Sequence, residues 1–369
     1  MSMYDTRYDT FAEILVRHSL NLQKNDLFIL SGSPLTMPLV QSVYKKALDA
    51  GAHIHLRMGS EALSELFYKK ASNEQLEFVS PLDQFEIEHI NTKLSIIGTE
   101  NTRFMSNVDP EKQSIRSRAV QPLDDIFLTR AGSKELRWCV TLFPTQASAQ
   151  DAEMSLYEYE EFVFAAAHVN DPDPISFWQQ MQQKQQQYIK ALETKKTIQI
   201  LAEDTDLTLS VDKRRWVNCF GKENFPDGEV FTGPIEQSAD GYIHFSFPCV
   251  YGGRQVDDVK IWFEKGKVKK ATASSGNEFL QSMLNMDAGA RFLGEFAFGT
   301  NYGITQFTKN TLFDEKIGGT IHLALGAGYP ETGSINKSGL HWDMVCDLRK
   351  DGEVIADDEV IYKKGKFLL

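Results

Sequence analysis

Apolar and polar positions in the first half of the chain follow the patterns of helices and short buried strands in alternation. Helical spacing of apolar side chains, or an apolar run bounded by turn residues, marks each element. The predicted elements are helices over residues 8–20, 39–50 and 60–70 and strands over residues 27–30, 53–56, 94–98 and 137–142. Strands that alternate with helices favour a mainly parallel sheet with helices packed on its faces. We therefore expect an α/β N-terminal domain over residues 1–190.

Two further helices are predicted before the pattern changes. A helix over residues 155–168 begins with Ser155 and Glu158, which stand three residues apart as in a capping box. The glutamine-rich stretch from Trp178 to Tyr188 keeps a rough helical spacing of its apolar residues. We interpret it as a partly exposed connecting helix rather than a disordered tract.

Beyond Lys195 the pattern becomes that of strands. Alternating runs predict strands over residues 197–201, 206–211, 241–247 and 259–263. Turns that contain glycine predict one hairpin at Glu264–Lys267 and a second hairpin around Lys350–Gly352. We therefore expect residues 191–369 to form an α+β, β-rich domain.

The composition is that of a soluble globular protein, with 42% apolar and 24% charged residues. A formal net charge of -12 argues against binding to nucleic acid or to an anionic membrane, because both need a basic face. The stretch Met1–Tyr8 lacks the apolar core of a signal peptide, and no apolar run of membrane-spanning length follows. The four cysteines are scattered without a CxxC pair, which is typical of reduced thiols. We expect a cytoplasmic protein without nucleic-acid or membrane partners.

The second half contains residues of the types that bind divalent metals. His341 and Asp343 stand at positions i and i+2, so an extended strand would point both to one face. His322 lies in the apolar run Thr320–Leu325, where a histidine without a polar partner is costly to bury. Tyr329 follows two glycines that allow a turn. Imidazole together with carboxylate is the ligand mixture of zinc, cobalt and manganese hydrolases.

Two acidic residues framed by glycine and apolar neighbours, Glu229 and Glu295, complete the candidate site. Each candidate also has an ordinary structural explanation. A histidine on an apolar face is more often a hydrogen-bonded core residue than a ligand, His-x-Asp is a common string, and either glutamate could be a solvated carboxylate. Spacing alone therefore leaves a metal centre and a set of unrelated structural residues about equally favoured.

Several strings carry more specific information when they are taken together and in order. They are Ser155–Phe164, Asp227–Pro234, Gly294–Asn301, Asp314–Gly326 and His341–Asp343. In this order they resemble the thermophilic metallo-aminopeptidase family, of the aminopeptidase T and S type. The resemblance extends from about Trp138 to the C-terminus and is fainter in the N-terminal α/β part.

The resemblance implies a pair of divalent metal ions, zinc, cobalt or manganese, held by six residues. These residues are Glu229, Glu295, His322, Tyr329, His341 and Asp343. It also implies a homodimer with an enclosed active site that acts on short peptides with a free N-terminus. The interval between Tyr329 and His341 is shorter than in the family pattern, as is the whole chain.

Such a metal pair would lower the pKa of a shared water, polarise the scissile carbonyl group and hold the free α-amine of the substrate. Glu229 or Glu295 suits the bridging position, because a carboxylate has two oxygens. Tyr329 would ligate weakly or donate a hydrogen bond to the oxyanion. Glu315, or whichever of the two other glutamates does not bridge, is a candidate for proton transfer.

We therefore predict a metal-dependent aminopeptidase. The sequence has no G-x-S-x-G string and no HExxH motif, which argues against a serine nucleophile and against a single-zinc peptidase of the HExxH type. Two alternatives stay open. One is another hydrolase with paired metals, such as a dipeptidase or an amidase, and the other is a metal-binding homologue without turnover.

Overall fold

The chain divides into two compact units in the computed structural model, which describes residues 5–369. The first unit contains the residues up to Ile175 together with Gly221–Phe225, and the second contains Ser176–Phe220 with Pro226–Leu369. Residues 1–4 lie outside the described residues. The interpretation of the N-terminal stretch as lacking a leader therefore concerns the sequence alone.

The helices are α1 (Arg7–Glu13), α2 (Met37–Asp49), α3 (Glu61–Lys70), α4 (Asn73–Glu77), α5 (Pro81–His89), α6 (Pro110–Gly132), α7 (Gln146–Asp151), α8 (Leu156–Ala166), α9 (Pro174–Leu192), α10 (Asn277–Leu284) and α11 (Thr311–Asp314). A π-helical segment, Ile14–Ser19, continues α1. Helix α8 has the predicted capping box, in which the hydroxyl of Ser155 accepts from the amide of Glu158 and the Glu158 carboxylate accepts from the amide of Ser155. Within residues 5–369 every helix is too short or too polar to cross a membrane.

The strands are β1 (Leu27–Gly32), β2 (His53–Met58), β3 (Thr92–Ile97), β4 (Arg137–Leu142), β5 (Thr197–Ala202), β6 (Thr205–Ser210), β7 (Val217–Cys219), β8 (Asn224–Phe225), β9 (Glu229–Thr232), β10 (Asp240–Phe245), β11 (Cys249–Tyr251), β12 (Arg254–Val256), β13 (Val259–Glu264), β14 (Lys267–Thr272), β15 (Leu293–Gly299), β16 (Thr320–Gly326), β17 (His341–Asp347), β18 (Glu353–Ala356), β19 (Glu359–Lys363) and β20 (Lys366–Phe367). Each strand predicted from the alternating pattern is present, with ends that differ by about two residues.

The first unit is built on a five-stranded parallel sheet in the order β2-β1-β3-β4-β8. Phe28 and Leu30 of β1 and Leu94 of β3 are fully buried, as expected for parallel strands whose faces are covered by helices. The parallel sheet of the expected α/β architecture is confirmed.

The second unit contains two main antiparallel sheets, besides the two-stranded β11–β12 hairpin. One has eight strands in the order β14-β13-β10-β6-β5-β18-β19-β20, and the other has five in the order β17-β16-β15-β9-β7. One apolar core includes Ile200 and Ile261 of the larger sheet and Phe296 and Leu323 of the smaller sheet. The smaller sheet therefore has one face fixed on this core, which leaves its other face for polar residues.

Helix α9 contributes to the core of the second unit. Tyr188, Ile189 and Leu192 belong to that core. Their burial explains why the helix groups with the second unit from Ser176 onward. The division between the compact units thus falls earlier in the chain than the domain border expected after residue 190.

The hairpin predicted around Lys350–Gly352 is wrong. Strand β17, before this turn, pairs with β16 in the five-stranded sheet, whereas β18, after it, pairs with β5 and β19 in the eight-stranded sheet. The turn therefore connects two sheets. Its Asp-Gly signal specifies a change of chain direction, but the partner of the next strand depends on tertiary packing. The hairpin in this region joins β18 to β19 through Asp357 and Asp358, which both have positive φ angles.

All four cysteines are free thiols. Cys139, Cys249 and Cys346 are buried, and Cys219 is partly exposed. The cysteines therefore form no disulfide framework within residues 5–369.

Candidate metal centre

The second face of the five-stranded sheet carries a group of acidic and histidine side chains. Residues directly opposed on antiparallel strands point to the same side of a sheet. Glu295 of β15 is paired with Ala324 of β16, and Ala324 is paired with Asp343 of β17. His341 is paired with Gly326, two residues further along the same face. The strand that was predicted to point His341 and Asp343 to one face is present.

His322 and Glu229 belong to the same face. His322 is paired with Ala297, and Glu229, the first residue of β9, is paired with Gly299. Glu229, Glu295, His322, His341 and Asp343 thus each have an alanine or a glycine as a cross-strand neighbour. These small residues leave the space above the sheet in which the larger side chains converge.

A β-bulge at Gly294 directs Glu295 to this face. The pairing of β15 with β16 shifts its register between Leu293 and Glu295. Leu293 therefore faces the core opposite Leu325, whereas Glu295, two residues later, points to the other side of the sheet. The bulge requires glycine, because a Cβ atom on Gly294 would lie 2.1 Å from the carbonyl oxygen of Ala327.

Two groups of three residues share Glu295. In the first group, Nε2 of His322 lies 3.5 Å from Oε2 of Glu229 and 3.4 Å from Oε1 of Glu295. In the second group, Nε2 of His341 lies 3.4 Å from Oε2 of Glu295 and 3.5 Å from Oδ1 of Asp343. Ligand atoms within each group lie within 4.8 Å of one another. The two oxygens of Glu295 therefore face different histidines.

Backbone carbonyl groups fix the orientation of both imidazole rings. Nδ1 of His322 donates to the carbonyl oxygen of Glu315 at 2.9 Å, and Nδ1 of His341 donates to the carbonyl oxygen of Ala327 at 2.8 Å. Because a carbonyl oxygen only accepts, Nδ1 carries the proton of each neutral ring and the lone pair of Nε2 points at the carboxylates. Metal-ligating histidines are held in this way.

Two carboxylate oxygens in this cluster lack the donors that burial normally requires. Oε2 of Glu229 and Oδ1 of Asp343 are buried and have no hydrogen-bond partner within residues 5–369. Oε2 of Glu229 lies 3.5 Å from Nε2 of His322, and Oδ1 of Asp343 lies 3.5 Å from Nε2 of His341. When the rings are neutral, each pair therefore consists of two hydrogen-bond acceptors without a donor between them. A divalent cation between them would satisfy both atoms, and the cluster therefore fits a metal.

The same charges act on the protons of the histidines when no cation is bound. Burial disfavours the imidazolium form, but the hydrogen bond to Glu295 and the charge of Glu229 outweigh burial and raise the pKa of His322 to about 10. For His341, burial is outweighed by the nearby carboxylates of Asp343 and Glu295, which raise its pKa to about 12. Burial raises the pKa of Glu229, whereas for Glu295 the two histidines outweigh burial and lower its pKa. The cluster therefore attracts positive charge strongly.

A buried lysine lies beside the cluster. The side chain of Lys316 is fully buried, and its Nζ donates to Oε1 of Glu315 and lies 3.8 Å from Oε1 of Glu229. Burial alone would lower the pKa of Lys316, but the charges of Glu229, Glu315 and Asp227 outweigh it and raise this pKa well above its usual value. Lys316 is therefore a permanent internal cation.

The sequence pattern does not single out Lys316, because lysine is normally a surface residue. Its only signal is its place next to Glu315, just before the apolar strand β16. Glu315, the candidate for proton transfer, forms a third group with His322 and Asp343, again within 4.8 Å.

Tyr329 lies at the edge of the cluster. Its ring centroid is 5.2 Å from that of His341 and 5.3 Å from that of Phe231, and 43% of the residue is exposed. Burial of the phenol group, together with the negative charge of Glu295, raises the pKa of Tyr329. The hydroxyl group is therefore a neutral donor at the accessible side of the site.

Buried polar side chains hold the loop before Glu229. Nδ2 of Asn301, which is fully buried, donates to the carbonyl oxygen of Asp227 at 2.7 Å. Nε2 of Gln185 on α9 donates to the carbonyl oxygen of Glu229 at 3.1 Å. Gly228 has a φ of 127°, and a Cβ atom there would lie 2.7 Å from Cβ of Asn301. The glutamine-rich helix, interpreted from sequence only as a connector, thus supports the site.

A cavity of about 390 Å³ opens beside the second group of residues. Its lining includes His341, Trp342 and Asp343 of β17, and Tyr251 and Gly252 of the small β11–β12 hairpin. This cavity gives a small ligand access to the cluster.

Comparisons with known proteins find similarity along nearly the whole chain. A family model described as thermophilic metalloprotease (M29) matches residues 4–367. Aminopeptidase 2 of Geobacillus stearothermophilus is 25% identical over 411 aligned positions, which cover 100% of this chain and 99% of the relative. Aminopeptidase T of Thermus thermophilus is 26% identical over 90% of this chain and 87% of the relative.

A solved structure, wild-type AmpT from Thermus thermophilus, matches with a TM-score of 0.87 at 22% identity and covers 100% of both chains. At this identity the likeness shows the fold. It agrees with the mixed α/β architecture of one parallel sheet and large antiparallel sheets.

Replacement of Gly228 by alanine is expected to destabilise the protein by at least about 1 kcal/mol more than replacement of Gly252. Both glycines have positive φ angles, but a methyl group at Gly228 would meet Asn301, whereas nothing lies within 4 Å of that position at Gly252. Urea unfolding of the two variants measures the difference. Equal losses, or a larger loss for Gly252→Ala, would contradict the role of the close contact.

Proposed function

Because the chain belongs to the thermophilic metalloprotease (M29) family, we propose that it is an aminopeptidase that removes the N-terminal residue from peptides at a pair of divalent metal ions. The membership confirms the family and the hydrolase class that were predicted from the sequence motifs. The aminopeptidase names of the two relatives, whose similarity covers 90–100% of the chain, support the exopeptidase assignment. The alignment with the Geobacillus protein is longer than this chain of 369 residues, so the chain carries deletions relative to it.

The position of Glu295 between two histidines carries the proposal of a metal pair. Its Oε1 lies 3.4 Å from Nε2 of His322, and its Oε2 lies 3.4 Å from Nε2 of His341. A carboxylate that offers one oxygen to each group suits a bridging ligand. With Glu229 in the first group and Asp343 in the second, each group offers three protein ligands and leaves room for water or substrate.

The charge of the cluster supports two divalent ions rather than one. Asp227, Glu229, Glu295, Glu315 and Asp343 are five carboxyl groups around the ammonium group of Lys316, within the part of the chain that the structure describes. When all five are ionised and the histidines are neutral, four negative charges are left over. Buried charges are costly unless they are paired, and one divalent ion would leave part of this charge uncompensated.

Zinc, cobalt and manganese are the proposed metals, because imidazole combined with carboxylate oxygens suits these ions. When bound, such ions lower the pKa of a water molecule and polarise the carbonyl group of the substrate. Orphaned acceptor atoms on Glu229 and Asp343 support binding on both sides of Glu295.

The side chains of the site determine which substrates bind and where protons go. The negative charge of the cluster attracts the α-ammonium group of a peptide, which favours cleavage at a free N-terminus. Glu315 is proposed as the proton acceptor, since Glu295 is assigned to the bridge. Tyr329 is proposed to donate a hydrogen bond to the oxyanion or to ligate weakly, which its neutral hydroxyl group at the accessible side supports.

Activity on leucine 4-nitroanilide is expected to disappear after treatment with EDTA and to return with zinc, cobalt or manganese. His341→Ala should bind less metal and lose at least about 100-fold in kcat/KM, because it removes a ligand of the second group. The control is His244→Ala, which removes a histidine paired with Asp258 instead.

The same assay separates the alternative functions. Hydrolysis of leucine 4-nitroanilide with an acetylated amine would indicate an amidase, and hydrolysis of dipeptides alone would indicate a dipeptidase. Metal uptake without turnover of any amino-acid amide or peptide would contradict an enzymatic role and favour a binding homologue.

We also propose that the protein acts as a cytoplasmic homodimer. The first unit exposes several large apolar side chains. Their number supports the proposal that a second subunit covers this surface. They include Leu63, Phe78, Leu82, Phe85 and Leu128, which are 61–75% exposed.

Sedimentation velocity should therefore give twice the mass of the chain, and Leu82→Lys should shift the protein toward the monomer. A monomer at all concentrations of the unchanged protein would contradict the dimer.

A further inference from the structure

We propose that the buried ammonium group of Lys316 holds Glu315 out of metal coordination and so keeps this carboxylate available as a proton acceptor. The inference rests on the proposed function and deepens it. Lys316 is a positioning residue in this scheme, because it acts through Glu315 and not on the substrate.

Glu315 has the surroundings of a further metal ligand. Its ligand atom lies within 4.8 Å of those of His322 and Asp343, which belong to the two different groups around Glu295. A carboxylate in that position is a potential ligand of a nearby divalent ion, and a second cation that binds its oxygens competes with such coordination. A proton acceptor in the same place therefore needs a competing partner.

Lys316 provides the competing cation. Its Nζ donates to Oε1 of Glu315 and lies 3.8 Å from Oε1 of Glu229. The lysine side chain is 0% exposed, so water does not weaken these interactions. Glu229 turns its second oxygen, Oε2, toward His322 at 3.5 Å. Glu229, at 3.8 Å, lies beyond hydrogen-bond distance of Nζ and stays available to a metal ion, whereas Glu315 accepts a hydrogen bond from the lysine.

Hydrogen bonds to the backbone carbonyl groups of Glu315 and Lys316 keep this pair in place. The carbonyl oxygen of Glu315 accepts from Nδ1 of His322 at 2.9 Å, and the carbonyl oxygen of Lys316 accepts from the amide of Asn301 at 3.1 Å. His322 lies on β16, and Asn301 closely follows β15. The segment that carries the lysine is thus tied to the two strands that carry Glu295 and His322.

Protein loaded with cobalt tests the inference directly, because the visible absorption of Co²⁺ weakens as its coordination number rises. We expect Lys316→Met to weaken this absorption, since the released Glu315 becomes a ligand. Its kcat should fall by about 100-fold or more while KM changes by less than about threefold. Lys316→Arg keeps the positive charge and should keep the spectrum of the unchanged protein.

Further variants separate positioning from a general loss of structure. Glu315→Gln should lower kcat but retain the cobalt spectrum, because Glu315 is not a ligand when Lys316 is present. The double variant Glu315→Gln/Lys316→Met should be no less active than Glu315→Gln alone. The matched control is Lys260→Met, which removes a surface lysine that lies 2.7 Å from Asp204 and should change neither spectrum nor kcat.

An altered cobalt spectrum of Glu315→Gln would overturn the inference even if Lys316→Met does not fold, because it would make Glu315 a ligand. A Lys316→Met protein with unchanged spectrum and kcat would overturn it as well. The proposed function can fail separately: unchanged protein that takes up cobalt but cleaves no peptide contradicts the aminopeptidase activity, and the spectra still decide the role of Lys316. No cobalt uptake by the unchanged protein would overturn both.

Discussion

Repulsion between buried carboxylates is the constraint on which the second unit depends. Glu229, Glu295 and Asp343 reach one face of the five-stranded sheet from three different strands. Such a cluster persists only if a rigid scaffold holds it and positive charge fills it. The other face of the sheet is that scaffold, because alternate residues such as Phe296 and Leu323 pack in the core of the unit. Strand alternation thus places apolar core residues directly behind the cluster of acidic and histidine side chains.

Positive charge enters the cluster in two ways. Lys316 belongs to the chain, and the fold fixes it beside Glu315 and Glu229. Divalent ions are proposed to fill the spaces on either side of Glu295. Carbonyl groups orient both histidines before any ion binds, so little reorganisation is needed on binding. Lys316 is a fixed cation for some carboxylate oxygens, and the proposed divalent ions are exchangeable cations for others. Neighbouring carboxylates can therefore have different roles.

Local patterns predicted only part of the elements that carry the site. They indicated extended structure at His322 and at His341–Asp343, but they did not predict β9 and β15, which carry Glu229 and Glu295. The strand His341–Asp343 was predictable with its face, because alternation is a local property. The face of Glu295 was not, because the bulge at Gly294 reverses the alternation and depends on the neighbouring strand. The hairpin predicted at residues 350–352 was wrong for the same reason, because tertiary packing determines which strands pair. Burial of Lys316 is favourable only beside carboxylates that are distant in sequence.

Anomalous diffraction above the zinc absorption edge, from crystals of the protein loaded with zinc, tests the shared carboxylate most directly. We expect two peaks per chain, one beside each oxygen of Glu295, with the first close to Nε2 of His322 and the second close to Nε2 of His341. A single peak per chain, or two peaks that do not share Glu295, would contradict the metal pair and the bridging role.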